Sequence, residues 1–135
     1  MTYVLDTNAV SSVMRGEVRV LSRLREAPKR EVLVPQPVLA EIAYGIARLS
    51  RSRKREALRR RFELVKNELL RADWTDDVSE AFGEIKAHLE KKGTRIEDFD
   101  AAIAAHARAR QATLVTSNVA HMVRIPGLRI EDWSK

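Results

Sequence analysis

Hydrophobic and polar positions along this chain alternate between two periods, and each switch marks an element boundary. Thr2–Leu5 is a short run containing a β-branched residue, and it stops abruptly at the polar triplet Asp6-Thr7-Asn8. That pattern predicts a buried strand ending in a turn. A helix is expected over Ala9–Arg15, capped by Thr7 or Asn8 and ended by Gly16. Val18, Leu21 and Leu24 carry helical spacing up to Pro28, and Glu31–Val34 reads as a second strand closed by Pro35. Pro37 suits a first helical turn, followed by a stripe of Val38, Leu39, Ile42, Ile46 and Leu49. A longer helix over Arg51–Arg71 has its inner stripe at Leu58, Phe62, Val65 and Leu69, and a short extended piece follows through Leu70–Trp74. Val78, Ala81, Phe82, Ile85 and Leu89 form a regular stripe stopped by Gly93. The alanine-rich stretch Asp98–Gln111 predicts a further helix, with Asp98 as its cap and Thr94 with Glu97 as a competing capping box. Thr113–Thr116 and Leu128–Ile130 read as the last strands.

Strands separated by helices imply parallel pairing through right-handed crossovers, and so a layered α/β sandwich. With 135 residues and no internal repeat or low-complexity linker, the expectation is one domain over residues 1–135. The absence of cysteine excludes disulfides and thiolate metal sites. No basic stretch leads an apolar run and no segment reaches the length of a membrane span, so a cytoplasmic protein with no membrane partner is expected.

Charge sharpens this picture. The net charge of +6 favours a polyanionic partner. Between Arg48 and Arg71 there are ten basic residues and only three acidic ones, Glu56, Glu63 and Glu68. Three readings of that helix stay open: phosphate contacts, a solvated face, or part of a surface that receives a protein.

Ligands of an open parallel sheet collect outside the carboxyl ends of its strands. Two polar clusters fall there, Asp6-Thr7-Asn8 and Thr116-Ser117-Asn118. Glu41 lies near the start of its helix, one turn before Gly45, where a missing side chain leaves room above the carboxylate. Asp100 enters the alanine-rich helix, which is narrow enough to pack tightly on the sheet and direct that carboxylate toward the strand ends. Taken singly, each has an ordinary alternative as a turn, cap or first-turn acid. Together, three carboxylates near strand ends would suit a hard divalent cation such as Mg²⁺ or Mn²⁺. Spacing alone does not establish that they converge. His88 and His106 fall on helices, where packing or surface roles prevail. His121 stands in a polar loop with no visible base partner, and Trp74 and Trp133 read as packing residues.

A longer pattern links these pieces. Val4-Leu5-Asp6-Thr7-Asn8, Pro37-Val38-Leu39-Ala40-Glu41-Ile42 and Asp98-Phe99-Asp100-Ala101-Ala102-Ile103 resemble successive motifs of the PIN-domain family. Leu114–Asn118 and the tail from Ile125-Pro126-Gly127-Leu128 to Trp133 continue the match in order, and the VapC-type toxin branch is the most similar. The resemblance implies a three-layer α/β/α sandwich around a central, mainly parallel sheet. It further implies an Mg²⁺- or Mn²⁺-dependent endoribonuclease that acts on an RNA substrate as the toxin of a toxin–antitoxin pair. A cognate VapB-type antitoxin and a homodimer come with that branch. Asp6, Glu41 and Asp100 fall at the family's metal-binding acidic positions and Thr116 at its hydroxyl position. Asn8 is a supporting hydrogen-bonding residue, with Asn118 and Asp98 nearby. Many relatives carry a fourth acid in or just after the motif that corresponds to Thr116-Ser117-Asn118, where this chain has neutral Asn118 followed by Val119-Ala120-His121-Met122, so one metal ion is expected to dominate.

Other classes fit less well. A haloacid-dehalogenase enzyme needs a second aspartate two residues after the first, where Asn8 stands. A phosphorylation-receiver domain needs an aspartate ending a middle strand and a lysine after a late one, but Val34 runs into Pro35-Gln36 and Thr116 into Ser117-Asn118. The remaining alternative is a catalytically weak PIN domain that only binds RNA or protein.

Overall fold

The computed structural model describes all residues, Met1–Lys135. Five strands form its sheet: β1 (Tyr3–Leu5), β2 (Val32–Pro35), β3 (Leu70–Ala72), β4 (Thr113–Val115) and β5 (Arg129–Glu131). Their order is β3-β2-β1-β4-β5 and all four pairings are parallel. The seven α-helices are α1 (Thr7–Arg15), α2 (Val18–Glu26), α3 (Gln36–Ala47), α4 (Arg53–Glu68), α5 (Asp76–Lys91), α6 (Asp98–Ala109) and α7 (Val119–Met122). A right-handed crossover fixes the side of the sheet on which each helix lies. The chain steps from β1 to β2 to β3 in one direction and returns over β1 to β4, so α1–α4 cover one face and α5–α6 the other. Contacts agree with this layering: α1 packs on α2, α3 and α4, while α5 packs along α6. The expected α/β/α sandwich is the observed one.

One apolar cluster of 30 residues fills the space between the layers. Val4 and Leu5 of β1, Val34 of β2 and Leu114 of β4 are completely buried, as a parallel sheet covered on both faces requires. Helix α6 is buried without a break from Ala101 to Ala107, and five of those seven residues are alanine, with Ile103 and His106 between them. These short side chains let α6 lie close to β1 and β4.

Several expected boundaries move, each for a local reason. The cap of α1 is Asp6, whose Oδ1 accepts from the Ala9 N–H at 2.8 Å, so Thr7 and Asn8 already lie inside the helix. Asp98 is the first residue of α6 rather than its cap; Glu97 holds the cap position and makes no side-chain cap bond. The basic helix runs from Arg53 to Glu68 because the Ser52 hydroxyl caps it by accepting from Arg55 N–H at 3.1 Å. The last strand is displaced one residue to Arg129–Glu131, where Glu131 is held by Arg23 of α2 at 2.8 Å. The short α7 has no counterpart among the expected elements, since four residues carry too little periodicity to be read.

Candidate active site at the switch point of the sheet

In the order β3-β2-β1-β4-β5 the chain leaves β1 toward one edge and leaves β4 toward the other. A crevice therefore opens outside the carboxyl ends of these two neighbours. Leu5 pairs with Val115, so the next residues, Asp6 and Thr116, stand side by side at the rim. The backbone anchors both: Asp6 N–H donates to Val115 O at 3.1 Å, and Thr116 N–H donates to Glu131 O at 3.0 Å.

Asp6 is only 4% exposed. Burial raises its pKa above the ordinary value, because the charged form loses water. The Thr116 hydroxyl and the Ala9 N–H oppose the rise by hydrogen bonding to the carboxylate, and the negative charges of Asp100 and Glu41 add to it. Asp100, half-buried at the entry of α6, is raised first by burial, then by the charges of Glu41 and Glu97, with His121 acting in the opposite direction. Asp6, Glu41 and Asp100 thus come from three separate elements and lie near enough to repel one another. Glu41 is held from below by a hydrogen bond from the Thr7 hydroxyl across the α1–α3 contact.

The supporting residues take distinct places. Thr116 Oγ1 accepts from Asn118 N–H at 2.9 Å, which turns the chain after β4. Asn118 Oδ1 lies 2.8 Å from His121 Nδ1, and His121, Asp98 and Asp100 line one polar cleft with Arg95 and Glu97. Asp98 is exposed and drawn toward Lys86, 3.2 Å away. Asn8 is exposed on the first turn of α1 and makes no side-chain hydrogen bond. One role went unread in the sequence: Thr7 looked like a cap, and its bond to a glutamate 34 positions away has no local signal. His106 packs as expected of a helical histidine, fully buried, with Nδ1 on Arg110 and Nε2 without a partner.

No three aspartate, glutamate or histidine side chains close into a ready-made metal cage. What the site offers is a set of hard oxygen donors in which burial first, and neighbouring negative charge second, raises Asp6 and Asp100. Such a set fits a hydrated Mg²⁺ or Mn²⁺, which keeps several waters and takes few protein ligands. A thiophilic metal finds no sulfur donor here beyond methionine.

A parallel sandwich with carboxylates gathered at its switch point is the architecture of an acidic-site hydrolase or phosphoryl-transfer protein. The PIN domain profile matches residues 3–127. Over 137 residues the chain is 34% identical to Ribonuclease VapC2 of Rickettsia felis, and the match covers all of both chains. It is 29% identical to the tRNA(fMet)-specific endonuclease VapC of Salmonella typhimurium, covering 98% of each. Among solved structures, that of VapBC2 from Rickettsia felis bound to a promoter DNA fragment superposes with a TM-score of 0.87 and 31% identity. That match covers 98% of this chain and 99% of the other. VapBC-1 from nontypeable Haemophilus influenzae gives 0.85 at 26% identity, covering both chains fully. The chain belongs to the PIN-domain family, within its VapC ribonuclease branch.

Proposed function

We propose that this protein is an Mg²⁺- or Mn²⁺-dependent endoribonuclease that acts in the cytoplasm as the toxin of a toxin–antitoxin pair. The observation that carries the reading is the buried Asp6 carboxylate at the end of β1, close enough to Asp100 and Glu41 for their charges to raise its pKa. Relatives named as ribonucleases over the full length, and neighbours solved as VapBC complexes, support it.

Asp6 and Asp100 would hold the divalent ion, with Glu41 contributing from the side. When bound, the ion supplies Lewis acidity that lowers the pKa of an attacking water and offsets charge on the phosphodiester. The chain's own residues set the geometry. One Asp6 oxygen, Oδ1, is committed to the Ala9 N–H, and the carboxylate is further stabilised by the Thr116 hydroxyl. The Thr7 hydroxyl occupies Glu41 Oε1, so Oε2 is the oxygen left to orient a water toward phosphorus. In-line attack expels the 3′ oxygen and leaves 5′-phosphate and 3′-hydroxyl ends.

A VapB-type antitoxin would restrain this activity, and a homodimer would be the resting assembly. The test is cleavage of total cellular RNA by purified protein freed of antitoxin, in Mn²⁺ and in EDTA. Cleavage in Mn²⁺ that stops in EDTA is the expected result. Cleavage persisting in EDTA overturns the metal, and RNA binding with no cleavage in either leaves a binding module only.

A further inference from the structure

A second groove leaves the acidic site on the α1–α3–α4 face. Its volume is about 530 Å³, and it is lined by Thr7 and Glu41 of the acidic site, by Gly45, and by Lys54 and Arg61 of α4. Arg15 borders it too, though that guanidinium is already engaged by Glu17 at 3.2 Å. Lys54 and Arg61 are exposed and neither has a carboxylate partner, whereas Arg59 and Lys66 on the same helix are paired with Glu63. Gly45 lies one turn beyond Glu41 on α3. A Cβ built there meets nothing within 4 Å, so the missing side chain is open groove rather than a tight helix contact. The floor is apolar, made by Ile42, Ile46 and Leu58.

We infer that this groove is the track for single-stranded RNA on one side of the cleaved bond, with Lys54 and Arg61 holding successive backbone phosphates and Gly45 leaving the path clear. The inference rests on the nuclease reading of the acidic cluster and deepens it. Uncompensated cations suit phosphates, an apolar floor suits sugar and base faces, and the track runs directly to Glu41. Lys54 and Arg61 are positioning residues: they touch the strand away from the reacting phosphorus.

The test uses the full chain carrying Asp6→Asn to prevent turnover, and a short, unstructured, fluorescein-labelled oligoribonucleotide as probe. Anisotropy titrations across a salt series give both affinity and its salt slope. Lys54→Ala with Arg61→Ala is expected to weaken binding about tenfold at low salt and to flatten the slope of log K against log salt by about 1.4, roughly 0.7 per single-strand phosphate contact. Arg30→Ala removes one equally exposed charge before β2, at the opposite end of the sheet, and is expected to leave the slope unchanged. Gly45→Leu separates the groove from general charge. Leucine favours a helix over glycine, so its thermal midpoint should rise while RNA affinity drops at least fivefold. Groove variants that bind as the parent does, in a protein whose cleavage Asp6→Asn abolishes, overturn the track and leave the nuclease reading standing. Groove variants that lose RNA in a protein that cleaves nothing support the track and remove the nuclease. A polyglutamate peptide bound as tightly as RNA, with the same losses, also overturns it, because the groove would then receive an acidic protein segment.

Discussion

At the scale of single residues, Asp6 performs two tasks with two oxygens. Oδ1 caps α1, while the carboxylate as a whole feels the Thr116 hydroxyl and the charges of Asp100 and Glu41. An asparagine can keep the cap but removes the charge. Because the folded protein raises the Asp6 pKa, the ionised form at neutral pH costs stability, and Asp6→Asn should fold as well as the parent or better. Asp6→Ala loses the cap and should fall about 1 kcal/mol below Asp6→Asn in urea unfolding. His106 gives a separate, pH-dependent signature. Burial first, then the Arg110 cation, lowers its pKa to about 4. Arg110 donates to Nδ1 at 3.1 Å, so the neutral ring carries its proton on Nε2. The ring stands edge-on to Trp74, with centroids 5.3 Å apart. A histidine depressed below its unfolded value of about 6.5 favours the neutral fold, so its contribution is fully present above pH 6.5 and is lost as pH falls toward 4. His106→Leu should remove about 3 kcal/mol of that pH dependence, read as the difference between the two proteins' unfolding free energies across the window. Parallel curves for parent and variant would contradict the placement.

At the scale of elements, α6 matters most for the site because it delivers Asp100. Its buried alanines permit close approach to β1 and β4. Ala104 is fully buried, and Ala104→Leu should cost about 1–3 kcal/mol by overpacking and push the helix entry off the strand ends. Metal affinity should fall with stability in that variant, whereas Ala87→Leu, on the exposed side of α5, should change neither. The helices α3 and α5 were legible because their stripes are long: Val38, Leu39, Ile42 and Ile46, and Val78, Ala81, Ile85 and Leu89, are buried where the period puts them. What the sequence concealed was decided by competition between neighbours. Asp6, Thr7 and Asn8 are all good caps, and the winner is the one whose backbone stays bonded to Val115 in the sheet. Thr94 and Asp98 offered caps for α6, but Thr94 N–H is taken by Leu89 O at the end of α5, and Asp98 turns to Lys86. The polar candidates at the strand ends were visible by position. The Thr7–Glu41 bond and the groove beyond it were not, because they depend on how α1, α3 and α4 meet.

For the whole molecule, charge is divided by location rather than balanced locally. The net charge is +6, yet the switch-point crevice gathers carboxylates, and unpaired Lys54 and Arg61 line the adjoining groove. A polyanion drawn to the basic face meets an acidic centre that only a cation makes hospitable. With Asn118 neutral where a further carboxylate would add charge, calorimetric titration with Mn²⁺ should find one dominant site. Two equally tight sites would contradict that. The most direct measurement compares the parent with Asp6→Asn in Mn²⁺-dependent cleavage of total RNA, alongside the thermal midpoint of each. Cleavage should fall by orders of magnitude while the midpoint holds or rises, since one charge leaves a cation site and the helix cap remains. An Asp6→Asn protein that is folded and cuts RNA as fast as the parent would contradict the central claim.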